Sequence, residues 1–181
     1  ELDAAGLAND TVILFTSDNG LSMGDRGLYG KWSHFDESLR VPFILHDPGA
    51  RASAGSRPEA FALNIDVPST VLDYAGIDTP AEYRGRSLRP FAEGVTPEDW
   101  RTEFYGEQKD ETDLALPDWI GIRSHRFAYA EYETSEGPLY FLTDTQADPD
   151  QLLNLADDPA YATRLEEYQS RARRYRKEYS L

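Results

Sequence analysis

The 181-residue chain contains no cysteine, which removes disulfides, thiolate metal centres and a cysteine nucleophile from within these residues. Long apolar runs are also missing: none approaches the roughly 18–20 residues that a membrane-spanning helix needs, so no membrane partner is expected. Basic residues are scarce. Lys and Arg number 18 against 33 Asp and Glu, giving a formal charge of −15 and a pI of about 4.5. A field of that sign repels phosphate backbones, so no nucleic-acid partner is expected either. The opening Glu1-Leu2-Asp3-Ala4-Ala5 has neither the basic start nor the apolar stretch of a signal peptide, and it lacks an initiator Met. It reads as though further chain precedes it.

What is present suits a globular α/β chain: 40% hydrophobic and 12% aromatic residues. Residues 2–8 read as the end of a helix, closed by Gly6 and Asn9-Asp10. Thr11-Val12-Ile13-Leu14-Phe15-Thr16 is a continuous β-branched and apolar run, the pattern of a strand buried on both faces as in a parallel sheet. Val41-Pro42-Phe43-Ile44-Leu45 predicts a second strand, and residues 47–60 a surface loop. Ile65, Val67, Val71, Leu72 and Ala75 mark a helix ended by Gly76. Near residue 95 the composition changes: residues 97–118 hold eight acidic and two basic side chains. Residues 119–122, 126–132 and 139–142 predict short antiparallel strands. Asp157-Asp158-Pro159 opens a terminal helix whose Leu165, Tyr168, Ala172, Tyr175 and Tyr179 form an amphipathic stripe. The expected division is 1–96, the end of an α/β domain, and 97–181, a small antiparallel sheet with a terminal helix.

Chemistry concentrates after the first strand. Asp18 and Asn19 stand at its C-terminal tip, where open α/β sheets place ligands. A carboxylate and an amide oxygen suit a hard cation such as calcium better than zinc. An ordinary Asp-Asn-Gly turn is the commoner use of these residues. Two donors also fall short of the roughly six to eight oxygens that calcium takes. Lys31 closes Gly24-Asp25-Arg26-Gly27-Leu28-Tyr29-Gly30-Lys31 and offers a compact positive charge to an oxyanion. This is not a nucleotide phosphate loop, because Trp32 replaces the required Ser or Thr and Asp25 stands in place of the first glycine. A solvated surface lysine is the bland alternative. Of the three histidines His34, His46 and His125, no two stand at metal-ligand spacing, and only His34 lies close to Lys31. Arg171, Arg173, Arg174, Arg176 and Lys177 cluster on the last helix, where they complement its C-terminal dipole.

In order along the chain, these segments resemble the C-terminal part of a sulfatase, in the alkaline phosphatase-like superfamily. Thr11 through Ser17-Asp18-Asn19-Gly20 is similar to the family's strand ending in Ser-Asp-(His or Asn)-Gly. Gly24-Asp25-Arg26-Gly27-Leu28-Tyr29-Gly30-Lys31 resembles Gly-Glu-His-Gly-Leu-x-x-Lys, with Arg26 departing from the usual His. Glu37-Ser38-Leu39-Arg40-Val41-Pro42, the helix from Asn64 to Asp73, and Gly85-Arg86-Ser87-Leu88 match further stretches. Gly121-Ile122-Arg123 and Leu139-Tyr140 through Asp148-Pro149 to Asn154-Leu155 complete the series. The resemblance implies an α/β fold: the end of an alkaline phosphatase-like central sheet domain, followed by a small antiparallel sheet subdomain with a C-terminal helix.

It also implies roles. Asp18 and Asn19 would be metal ligands for Ca2+, shared with ligands upstream, and Lys31 would be the catalytic, substrate-binding residue contacting the sulfate and its bridging oxygen. The family's nucleophile is a formylglycine made from Cys or Ser in Cys/Ser-x-Pro-x-Arg. Ser56-Arg57-Pro58-Glu59-Ala60 fails that pattern at its last position. The resemblance therefore places the catalytic upstream half, a partner within the same enzyme, outside these residues, and the chain alone would not catalyse. The implied substrate is a small-molecule or carbohydrate sulfate ester. Two rivals stand beside this reading: a phosphodiester or phosphonate monoester hydrolase of the same superfamily, and a non-catalytic assembly module.

Overall fold

The computed structural model describes residues 1–50, 54–109 and 117–179. The middle of the loop expected over 47–60 and the acidic residues 110–116 thus lie outside the described residues. In chain order the elements are α1 (Leu2–Ala5), β1 (Ile13–Phe15), β2 (Ser22–Met23), β3 (Tyr29–Gly30), α2 (Asp36–Leu39) and β4 (Ile44–His46). There follow α3 (Asp66–Tyr74), α4 (Arg89–Ala92), β5 (Glu103–Gln108), β6 (Trp119–Ser124), β7 (Phe127–Thr134), β8 (Gly137–Asp144) and α5 (Ala162–Tyr179). Contacts gather them into two units, 1–18 with 41–101, and 19–40 with 102–181.

In the first unit β1 pairs with β4, Leu14 opposite Leu45. The pairing is antiparallel, not the parallel arrangement that the apolar run suggested, and Ile13, Phe15 and Ile44 are exposed. A continuous apolar run specifies a strand, but neither what covers its faces nor the direction of its partner strand. The rest of the unit is organised around Asp66 at the start of α3. Its carboxylate is fully buried and accepts from Arg101 at 2.5 and 2.7 Å and from the backbone N–H groups of Leu63 and Arg86, each at 2.8 Å. Ser69 Oγ donates to the Gly85 carbonyl at 2.8 Å, and Thr70 Oγ1 accepts from the Leu88 N–H at 2.9 Å. Only glycine fits at 85, since a Cβ there would lie 1.6 Å from the Ile65 carbonyl oxygen. The Asp66–Asp73 and Gly85–Leu88 segments are thus two halves of one hydrogen-bonded joint.

In the second unit β5-β6-β7-β8 form an antiparallel sheet in sequence order. Gly106, Gly121, Ala130 and Phe141 stand opposite one another across the four strands, and so do Tyr105, Ile122, Tyr129 and Leu142. Because side chains alternate along a strand, these rows belong to opposite faces. The face with Ile122, Tyr129 and Leu142 packs against Tyr168 and Ala172 of α5, which bury the stripe expected from the sequence. The other face carries small residues at its centre and receives residues 32–36. Trp119 Nε1 donates to the Trp32 carbonyl at 2.7 Å, and Arg123 grips both Asp36 carboxylate oxygens at 2.9 and 3.0 Å. β5 was not foreseen, because its Glu103, Gly106 and Glu107 hid it within an acidic stretch. Of the basic residues on α5, Arg171 and Arg176 pair with Glu103 and Glu133 of the sheet, beyond any complement to the helix dipole.

Candidate functional site

Asp18 lies at the end of the first unit's opening segment, exposed. Its backbone carbonyl accepts from Asn64 Nδ2 at 2.6 Å, and its carboxylate accepts from Ser17 Oγ at 3.2 Å. Asn19, the next residue, begins the second unit and is half-buried. Its Nδ2 donates to the Gly20 carbonyl at 2.7 Å, which orients the amide. The amide Oδ1 accepts from Lys31 Nζ at 3.2 Å, bringing two of the sequence-derived site residues together. Lys31 is exposed, with Nζ 5.3 Å from the centre of the Trp32 ring.

Neighbouring motifs hold this pair in place. Gly20 N–H donates to the Ser38 carbonyl at 2.9 Å, and a Cβ on Gly20 would sit 2.1 Å from the Glu37 carbonyl oxygen. A larger residue would push Asn19 off α2. Arg26, at φ 52°, forms an ion pair with Glu37 and donates to the Asp150 carbonyl, its guanidinium 4.1 Å from the Phe35 ring. Its charge is spent inside the unit, not presented beside Lys31 as a local positive field. Asn19-Gly20, the Gly-Asp-Arg-Gly motif and the Glu-Ser motif therefore meet within the second unit. The downstream series does the same, because Asn154 Oδ1 accepts from the Leu142 N–H at 3.0 Å and its Nδ2 donates to the Tyr140 carbonyl at 2.9 Å.

As a cation site the donor chemistry fits and the number does not. Asp18 and Asn19 offer only hard oxygens. Among the described residues no group of three or more His, Asp or Glu is arranged to hold a metal. Sequence reasoning missed the pairs Arg26–Glu37 and Asp36–Arg123 and the burial of His34 against Tyr132. Only long-range pairing reveals them.

One unit holds an antiparallel sheet flanked by one helix, the other an α/β arrangement, and solved structures similar to the chain are of the alkaline phosphatase-like class. Residues 24–178 match the family described as N-sulphoglucosamine sulphohydrolase, C-terminal. The chain is 37% identical to the multifunctional alkaline phosphatase superfamily protein PehA of Trinickia caryophylli, over 97% of the chain and 36% of that protein. It is 31% identical to an N-acetylglucosamine-6-O-sulfatase of Bacteroides thetaiotaomicron, over 98% of the chain and 32% of that protein. Among solved structures, one in complex with its substrate D-glucosamine-2-N,6-O-disulfate superposes with a TM-score of 0.88 at 30% identity, covering 98% of this chain and 36% of that one. The phosphonate monoester hydrolase of Agrobacterium radiobacter superposes with a TM-score of 0.85 at 32% identity, covering 98% and 37%. The chain belongs to the sulfatase family and corresponds to the C-terminal region of its members. It spans about a third of the length of the relatives it matches.

Proposed function

We propose that this chain is the C-terminal part of an enzyme that hydrolyses sulfate esters of sugars, with the nucleophile supplied from outside these residues as a formylglycine. The observation that carries the reading is the Lys31–Asn19 pair, an ammonium 3.2 Å from an oriented amide oxygen in the motif where the family keeps its lysine. Lys31 neutralises charge on the sulfuryl oxygens and on the leaving oxygen, where negative charge grows as the S–O bond breaks. Asp18 and Asn19 are the residues of this chain that would hold calcium, jointly with ligands beyond it. When bound, calcium supplies Lewis-acid polarisation of the sulfuryl oxygens. A sugar sulfate is favoured because two relatives carry sulfated glucosamines in their names.

The likeness to a phosphonate monoester hydrolase keeps one second reading in play, the same lysine serving a phosphoryl centre. In the full-length protein, Lys31→Ala should lower turnover by roughly two to three orders of magnitude, the scale of losing one transition-state contact. KM should change less, since leaving-group charge exists only in the transition state. The loss should shrink for esters whose leaving alcohol is already acidic. Activity within a few-fold of wild type on every ester makes Lys31 a surface lysine. Parallel assays on a sugar sulfate and a phosphonate monoester decide between the two chemistries.

A further inference from the structure

Residues 32–36 meet the sheet through His34, which is 3% exposed, together with Phe35 and Asp36. The His34 ring lies against Phe141 and Tyr132, at 4.9 and 5.5 Å between centroids, beside a hollow of about 10 Å3 lined by Gly106, Gly121 and Ala128. The glycine at 121 is required, because a Cβ there would come within 2.5 Å of the Tyr129 carbonyl oxygen. Tyr132 Oη accepts the His34 backbone N–H at 3.2 Å and lies 2.9 Å from Nδ1. A hydroxyl has one proton to give, so the arrangement that satisfies all three atoms has Tyr132 donating to Nδ1 and leaves the ring proton on Nε2. Nε2 is buried and has no partner among the described residues.

We propose that neutral His34 is a positioning residue, latching the segment that carries Asn19 and Lys31 onto the small-residue face of the sheet, and that protonation in acid opens this latch. The link to Lys31 rests on the function proposed above; the latch itself does not. An imidazolium would present two N–H donors. One would meet a hydroxyl that must turn its own proton away, and the other has no acceptor among the described residues, a costly way to bury a charge.

The charged groups around the ring do not rescue it. Arg26, on the same segment, repels a second positive charge. Arg123 of β6 lines the hollow, and its guanidinium is engaged by Asp36. Asp36 is the one neighbour that favours the cation, and Glu37 is tied to Arg26. The residues of β5, β7 and β8 on this face, such as Phe104, Ala128 and Phe141, bring no charge. Burial first, then Arg26, with Asp36 opposing, hold His34 down at about 3. Burial pushes Tyr132 up to about 12, so its hydroxyl stays intact. With the folded value below the roughly 6.5 of an exposed histidine, docking is fully supported above that pH. It weakens about tenfold per unit as pH falls from there toward 3.

The test is hydrogen exchange in the full-length protein, followed on the peptide spanning 31–39 and corrected for the intrinsic pH dependence of exchange. Between pH 7 and pH 5 the opening equilibrium of wild type should rise roughly 25-fold. His34→Asn, which keeps an amide for Tyr132 but cannot titrate, should stay within about threefold. Tyr132→Phe guards against a misfolded His34→Asn: it should open more readily at pH 7, by several-fold, and keep the acid response, because His34 stays buried. A flat wild-type or Tyr132→Phe profile overturns the proposal, and so does a full acid response in His34→Asn, which would assign the titration to Asp36 or Glu37. In activity, wild type should lose kcat in acid faster than His34→Asn, with KM little changed. Exchange as expected without that split upholds the latch and removes its link to Lys31.

Discussion

Asp66 illustrates what a single residue can hold. It is wholly buried, and its two oxygens receive two guanidinium and two backbone donors, so its charge is matched and every lone-pair direction has a use. Removing one partner of such a pair strands the other. Asp66→Ala should therefore cost about 3–5 kcal/mol by leaving Arg101 unpaired, read as a lower denaturation midpoint of the full-length protein. Asp66→Asn should cost less than alanine without being neutral, because its single oxygen keeps an acceptor for only one of the two backbone donors, Leu63 or Arg86. A neutral result for both would mean that water takes over the Arg101 contacts. At this scale residue type alone is what singles out Lys31 and the oxygen donors of Asp18 and Asn19 as candidates. The partners of Asp66 and His34, 35 and 98 positions away, are not legible in the sequence.

At the scale of elements, the motifs turn out to be joints. Gly85 meets the backbone of Ile65, Gly20 that of Glu37, and Asn154 bridges the main chain of β8. This gives a contrast between glycines. Gly85→Ala places a methyl 1.6 Å from a carbonyl oxygen and should abolish soluble accumulation or sharply lower the melting temperature. Gly106→Ala, whose Cβ would touch the Trp119 ring at an ordinary 3.5 Å, should be tolerated. Equal melting temperatures for both variants would refute the close approach. The elements themselves were partly legible. Period-two alternation announced β6, β7 and β8, and the three-four stripe announced α5. The pairing of β1 with β4 was not, because hydrophobic pattern sets burial while strand direction is set by connections. β5 was masked by charges that turn out to be used: Glu103 receives Arg171, and Glu107 accepts from Tyr105 at 2.9 Å.

For the whole molecule, the metal is the sharpest test. Asp18 and Asn19 supply two of the roughly six to eight oxygens calcium takes, so the 181-residue chain should bind it weakly. Full-length protein should bind tightly and lose activity on chelation. Titration calorimetry that finds tight, stoichiometric calcium binding by this chain alone would contradict the ligand assignment. A composition change near residue 95 announces a new region, but nothing in residues 19–40 announces that they pack with strands beginning at 103.

That non-contiguous packing has a consequence for synthesis. His34 and Trp32 leave the ribosome long before Tyr132 and Trp119, the residues that cover them. At about 5–20 residues per second, the 98 positions between His34 and Tyr132 take on the order of five to twenty seconds to translate. Throughout that interval the aromatic segment beside Lys31 is a nascent chain without its sheet, open to chaperone capture. The lysine's surroundings therefore cannot acquire their final form before Tyr132 has been made.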